Sequence, residues 1–255
     1  MGSGWLGLPL IENLSSKGYL VKASTTSLSK ISQLSTLKVQ PFIVDIDNIP
    51  SDIKSFLESK ILIINIPSKN IKGFKAFLNA IEKSEIEKVL FVGSTSVYEN
   101  INQTIVESSG SESTNKPLFK IETLFRNSSK VATTIIRFAG LIGYSRHSGR
   151  FFASGKVIKD PGSFVNLIHR DDCIAIITQI IEKEIWGEDF NCCADTHPTK
   201  REYYTKTAKS IGVDIPEFEN PGSTSFKIIS NKKLKERLNY TFLHADLMDI
   251  DYTGW

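Results

Sequence analysis

Cysteine is scarce in this chain, and so is net charge. The three cysteines, Cys173, Cys192 and Cys193, cannot all pair and none has metal-site spacing, so neither a disulfide framework nor a metal centre is expected. That usage suits a reducing, cytoplasmic compartment. Lys and Arg number 31 against 28 Asp and Glu, a formal charge of +3 that is too small to mark a nucleic-acid surface. No uncharged apolar run approaches the ~18 residues of a membrane span, and the longest, at 61–66, fits a buried strand. A basic segment followed by an apolar one is also missing at the N-terminus, so no secretory leader is expected. What is present is ordinary globular material. With 255 residues, 40% hydrophobic and 23% charged, the chain can build one large domain, or one domain with a smaller appendage.

Segments of strand composition alternate with segments of helical period, the mark of a parallel sheet wrapped by helices. The strand candidates are 19–23, 39–44, 61–66, 89–92, 133–137 and 190–193. Between the third and fourth, Ile71, Phe74, Phe77, Leu78 and Ile81 recur at three- and four-residue steps, the stripe of a buried crossover helix. Leu118, Ile121, Leu124 and Phe125 repeat the pattern, as do Ile174, Ile177 and Ile181. Thr199 and Glu202 have the spacing of a capping box that opens another helix. The polar, Ser-rich stretch 107–115 reads as an exposed loop. These features predict a doubly wound α/β fold of the dinucleotide-binding kind. Its core would be 1–143 and 166–212, with 144–165 and 213–255 as a small cap over the C-terminal edge of the sheet, where open α/β sheets bind ligands.

Gly2-Ser3-Gly4-Trp5-Leu6-Gly7 is a G-x-G-x-x-G string, followed by a short amphipathic segment and then a strand. Glycines there allow a tight turn and close backbone approach to a pyrophosphate, which the helix N-terminus attracts through its N–H groups and dipole. A flexible glycine-rich start is the alternative, and the helix and strand that follow weigh against it. A strand should precede the first glycine, yet the numbering begins at Met1. Such a strand would bury several apolar side chains at ~1.5 to 3 kcal/mol each. The sequence is therefore expected to lack several N-terminal residues of the natural chain. On that expectation the strands near Tyr19 and Ile61 flank a gap at the sheet centre, or are bridged by residues outside this numbering, and their direct pairing would overturn it. After the strand at 19–23 the chain offers Ser24, Thr25 and Thr26, with Lys30 four residues on, in place of the carboxylate that suits NAD. NADP is therefore expected over NAD, unless these residues merely cap the next helix.

Six strings in order, GSGWLGLP, STT, VDI at Val44 to Ile46, FVGSTSVY at Phe91 to Tyr98, IIRFAGLIG at Ile135 to Gly143 and VNLIHRDDC at Val165 to Cys173, give the chain its resemblance to a known family. It resembles the atypical extended short-chain dehydrogenase/reductases of the nucleoside-diphosphate-sugar epimerase/dehydratase type. The resemblance implies that Asp45 and Ile46 border the adenine, Asn65, Ile66 and Pro67 line the cofactor, and Phe138, Ala139 and Gly140 lie near the nicotinamide. Ser94 falls where that family keeps the Ser or Thr that hydrogen-bonds the substrate oxygen. The family's Tyr-x-x-x-Lys pair has no counterpart. Its two positions hold Lys116 and Lys120, or Thr114 and Leu118, depending on the alignment. A positioned general acid or base is worth about 10² to 10⁴ in rate, so ordinary family turnover does not follow from the likeness. Tyr98 is the nearest substitute, against a packing role. Arg146 and His147, in a glycine-rich loop, are candidates to bind an anionic substrate, against a solvated loop. His169, Asp171 and Asp172, at the start of a helix, read as structural. Two functions remain: an oxidoreductase or epimerase acting on a sugar-nucleotide-like or other small carbonyl or alcohol substrate, or a noncatalytic NADP-binding redox sensor. The expected partner is a small molecule, with neither nucleic acid nor membrane, and a homodimer is compatible with the family.

Overall fold

The computed structural model describes residues 1–152, 157–219 and 225–252. Parts of the expected cap, 153–156, 220–224 and 253–255, lie outside the described residues. Contacts divide the chain into two units: Met1–Val97, Ser113–Arg137 and Ile177–Asp189 form the first, and Tyr98–Glu112, Phe138–Ile176 and Phe190–Trp255 the second.

The first unit alternates helix and strand as the apolar pattern requires. It opens with helix α1 (Gly7–Ser16), strand β1 (Lys22–Thr25), helix α2 (Ile31–Ser35), strand β2 (Gln40–Ile43) and helix α3 (Ile53–Leu57). Strand β3 (Ile61–Ile64), helix α4 (Ile71–Ile81) and strand β4 (Lys88–Ser94) follow. β1 pairs in parallel with β2, and β3 with β4. Pro41 has no N–H to offer a further strand, which suits the place of β2 outside β1. In α4 the predicted stripe is buried at Phe74, Phe77, Leu78 and Ile81, while Asn70 caps the first turn by accepting the Gly73 N–H at 3.0 Å. The rings of Phe74, Phe91 and Phe125 meet at 5.2 to 6.1 Å, at the centre of the unit's largest apolar core. Each such ring contributes about 1.5 to 3 kcal/mol by leaving water.

β1 and β3 do not form a ladder with each other among the described residues. A cavity of about 260 Å³ is lined by both strands, together with α1, Phe56, Ile86 and Ile181. At one end of it Met1 makes the bonds of a parallel bridge, its amino group donating to Ile63 O at 2.5 Å and its carbonyl accepting the Asn65 N–H at 3.0 Å. Burial holds the Met1 amine down at about 5.

Strand β5 (Thr104–Ile105), helix α5 (Pro117–Arg126) and strands β6 (Ala132–Phe138), β7 (Gly140–Ile142) and β8 (Leu167–His169) come next. Helix α6 (Arg170–Glu182), strand β9 (Asp189–Cys192), helix α7 (Lys200–Ser210), strand β10 (Ile228–Ile229) and helix α8 (Lys232–Leu238) complete the order. The strands β3-β4-β6-β9 lie in that order in one sheet. In the second unit, β7 pairs in parallel with β8, and β5 with β10. Around the latter pair the Asn102 N–H donates to Phe226 O at 2.9 Å and the Phe226 N–H to Asn102 Oδ1 at 2.8 Å. The second unit's core joins Ile142, Val165, Leu167, Tyr203, Leu247 and Tyr252. Cys173, Cys192 and Cys193 are free and buried, and burial pushes the Cys193 thiol up to about 12.

Candidate functional site

The glycine turn is built by exclusion. Gly2 has φ +95°, and a Cβ there would stand 2.2 Å from Asn65 O. At Gly7 a Cβ would stand 1.9 Å from Gly2 O, so the helix can start this close to the turn only with glycine. Gly4 differs: it is exposed and a Cβ there would meet nothing within 4 Å, which leaves its backbone approachable. Trp5 is half-buried and Leu6 is buried. Helix α1 begins after Leu6 with no side-chain cap and no acidic residue in its first turn. Its dipole is thus uncompensated where the turn faces outward, the arrangement that draws an anion.

The other expected cofactor residues of the first unit surround strand ends. Ser24 is buried, and its Oγ has no hydrogen-bond partner among the described residues. Thr25 is buried with its Oγ1 accepting the Ser27 N–H at 3.2 Å, whereas Thr26 and Lys30 are exposed. Asp45 is half-buried and turns its Oδ1 to the Asp47 N–H at 2.9 Å, next to buried Ile46. Asn65 and Ile66 pack against Gly2, and Pro67 is exposed. An orphaned buried hydroxyl, a glycine turn and an uncapped helix start fit a dinucleotide. Ser94, half-buried at the end of β4, accepts the Ser96 N–H at 3.1 Å, which leaves its own proton to donate. Lys116, one of the residues standing where the family keeps tyrosine, donates from Nζ to Ser96 O at 2.7 Å.

In the second unit Phe138 and Ala139 are buried, and Gly140 is exposed with its N–H on Asn166 O at 3.0 Å. Tyr98 lies in the interior, 1% exposed, donating its hydroxyl to Asn191 Oδ1 at 2.9 Å, a packing position rather than a free acid. Arg146 is exposed. His147 is fully buried. Its Nδ1 accepts the Gly149 N–H at 3.0 Å and its ring packs on Tyr252 at 4.6 Å, while burial, then Arg150, lowers its pKa. Here the ring serves as a backbone cap, turned inward, where the sequence reading expected a substrate contact.

One cluster was only partly visible in the sequence, which singled out His169 and Asp171 but not His244. His244 stacks on His169 with ring centroids 3.8 Å apart, and with Asp171 the three bring ligand atoms within 4.8 Å of one another. More than 70 residues separate His244 from the other two, so no motif spacing announces it. The cluster is internally bonded: Asp171 accepts the Tyr144 hydroxyl at 2.8 and 3.1 Å, and His169 Nδ1 accepts the Asp171 N–H at 3.3 Å. Burial, then His244, pushes the His169 imidazole down to about 4. Asp172 accepts three bonds, from the Tyr240 hydroxyl and the Leu243 and His244 N–H groups, at 2.7, 2.7 and 3.1 Å.

No family model matches the chain. The curated Protein YeeZ of Escherichia coli K12 is 30% identical over 266 aligned positions, covering 96% of this chain and 95% of that protein. Among solved structures, UDP-glucuronic acid 4-epimerase from Bacillus cereus in complex with NAD superposes with TM-score 0.75 at 17% identity, over 97% of this chain and 93% of that one. UDP-glucose 4-epimerase from Thermotoga maritima with UDP-glucose gives TM-score 0.75 at 16% identity, over 97% and 94%. A functionally unknown conserved protein from Silicibacter pomeroyi gives 0.78 at 16%, over 97% and 93%.

Proposed function

Since the chain belongs to the family of Escherichia coli Protein YeeZ and has the fold of the extended, epimerase-type short-chain dehydrogenase/reductases, we propose that it is a nicotinamide-dependent oxidoreductase or epimerase. Its substrate class is a sugar nucleotide or another small carbonyl or alcohol compound. The observation that carries this reading is the glycine turn on the uncapped start of α1, in which Gly2 and Gly7 admit no side chain while Gly4 is open.

In this reading the backbone of Gly2, Gly4, Trp5, Leu6 and Gly7 holds the pyrophosphate. Ser24, Thr25, Thr26 and Lys30 receive a ribose 2′-phosphate, favouring NADP over NAD because no carboxylate stands there to repel it. Asp45 and Ile46 border the adenine, Asn65 to Pro67 the mid-section, and Phe138 to Gly140 the nicotinamide. When bound, the cofactor supplies hydride chemistry. Ser94 donates to the reacting oxygen and Arg146 pairs with the substrate's anionic group. A second reading, a noncatalytic NADP-binding sensor, is favoured by one observation: the nearest tyrosine, Tyr98, is buried with its hydroxyl on Asn191.

Fluorescence titration with NADPH and NADH, then a panel of carbonyl compounds and nucleotide sugars followed by NADPH oxidation, separates these readings. The expected result is tighter NADPH binding and turnover of at least one substrate class, with Ser94→Ala slowing it about 10²-fold, as for loss of one oxyanion donor. Binding without turnover favours the sensor, and no binding of either nucleotide removes both.

A further inference from the structure

Two distant stretches of the second unit bring metal-ligating side chains together. His169 ends β8, Asp171 stands in the first turn of α6, and His244 lies beyond α8. Asp171 Oδ2 is 3.6 Å from His169 Nδ1 and 3.9 Å from His244 Nε2, and ligand atoms of all three lie within 4.8 Å of one another. In a tetrahedral zinc site, bonds of about 2.0 to 2.2 Å set ligand atoms roughly 3.3 to 3.6 Å apart. The first pair already has that spacing, and a rotation of the His244 side chain closes the rest. The backbone that carries these side chains is itself anchored. Asp172 accepts the Leu243 N–H at 2.7 Å and the His244 N–H at 3.1 Å, which ties His244 to the residue next to Asp171. The Tyr144 hydroxyl donates to the Asp171 carboxylate, at 2.8 Å to Oδ2 and 3.1 Å to Oδ1, the kind of outer contact that orients a ligating carboxylate. Gly143 makes room for the His169 ring, since a Cβ there would stand 2.7 Å from Nε2.

We propose that His169, Asp171 and His244 bind one divalent transition-metal ion of the zinc class, with water in the remaining position. Two imidazoles and a carboxylate suit such an ion, whereas magnesium and calcium prefer oxygen alone. Three protein ligands with an open position is also the zinc arrangement that leaves space for a small ligand. The side chains of Asp171 and His244 are 35% and 30% exposed, which gives the ion a way in and lets water complete its shell. The bond from the Asp171 N–H to His169 Nδ1 is long, 3.3 Å, and the ion takes its place on that nitrogen. Once bound, the ion joins the start of α6 to the 240–244 segment. This inference rests on the second unit alone and is independent of nicotinamide binding.

The test uses the full chain, stripped of metal with a chelator and titrated with Zn²⁺ by calorimetry and with Co²⁺ by visible absorption. The expected result is one ion per chain. For Co²⁺ it includes the intense visible bands of a four-coordinate site without sulfur-to-metal charge transfer, since all three cysteines are buried. His244→Ala and Asp171→Asn, checked for folding by circular dichroism, are expected to weaken binding at least about 100-fold, beyond the roughly 10- to 100-fold typical of losing an outer partner. No binding, a thiolate signature, or unchanged affinity in either variant would overturn the proposal. If a variant does not fold, NMR of the histidine rings in the native chain decides. One equivalent of Zn²⁺ is expected to shift the His169 and His244 resonances and to spare His147 and His197; any other pattern overturns the site.

Discussion

Arg137 reaches Glu122 with two bonds to one carboxylate oxygen, at 2.8 and 3.0 Å, in a place where both side chains are fully buried. The second oxygen, Oε1, has no partner among the described residues, and burial pushes the Glu122 carboxyl up to about 7 against the pull of Arg137. Between the ordinary value of 4.5 and about 7 the folded chain therefore holds the proton that the unfolded chain has lost. This contribution to stability is present below 4.5 and is lost as pH rises through 7. The advantage in Tm of the native chain over Glu122→Gln is expected to be larger at pH 5 than at pH 8; an advantage that grows with pH would show instead that Arg137 holds the carboxylate ionised. The glycine turn gives a second contrast. Gly7→Ala drives a methyl into Gly2 O and is expected to cost about 1 to 3 kcal/mol in chemical denaturation. Gly4→Ala has room, so it should leave the denaturation midpoint in place while weakening nucleotide binding in a titration. Roles of this kind were legible only where backbone geometry dictates the residue. The spacing of Gly2, Gly4 and Gly7 announced the turn, whereas nothing local says that Tyr98 and His147 point inward, because partners up to 105 residues away decide it.

The start of α6 shows how one carboxylate fixes a distant segment. Asp172 gathers the buried Tyr240 phenol and the part-buried backbone N–H groups of Leu243 and His244. Asp172→Ala leaves those donors unpaired, at about 1 to 3 kcal/mol for a buried one. A loss of roughly 3 kcal/mol is expected, read as a fall in Tm of about 6 to 12 °C together with faster amide exchange at Leu243 and His244. An unchanged exchange rate there would mean that the segment is held by its apolar contacts instead. Strands of four residues or more, and helices of ten or more with a clear period, were readable beforehand. All six expected strands occur, with ends displaced by at most three residues, and the capping box at Thr199 and Glu202 is formed. The strands β5, β7, β8 and β10 were not readable, since two or three residues cannot display a period of two. Their pairing partners, rather than their composition, make them strands.

At the scale of the molecule the alternation of strand and helix was legible because burial on both faces writes continuous apolar runs into the sequence. The way the second unit closes was not, since it depends on contacts between distant stretches of the chain. Strand β5 finds its partner in β10, and Asn102 and Phe226, which bond beside it, are 124 residues apart. At about 5 to 20 residues per second, synthesis leaves the 98–112 segment waiting roughly 6 to 25 s for its partner to be made. During refolding from denaturant the same separation places this pairing late, because loop closure comes before any reward. Pulsed hydrogen exchange is expected to protect Asn102, Ile228 and Ser230 after the β3 and β4 ladder; simultaneous protection would refute that order. The two-strand clasp of β5 and β10 is therefore also a clock. In the interval before it shuts, the nascent chain carries one unpaired strand segment, β5, that chaperones, or other nascent chains, can reach first.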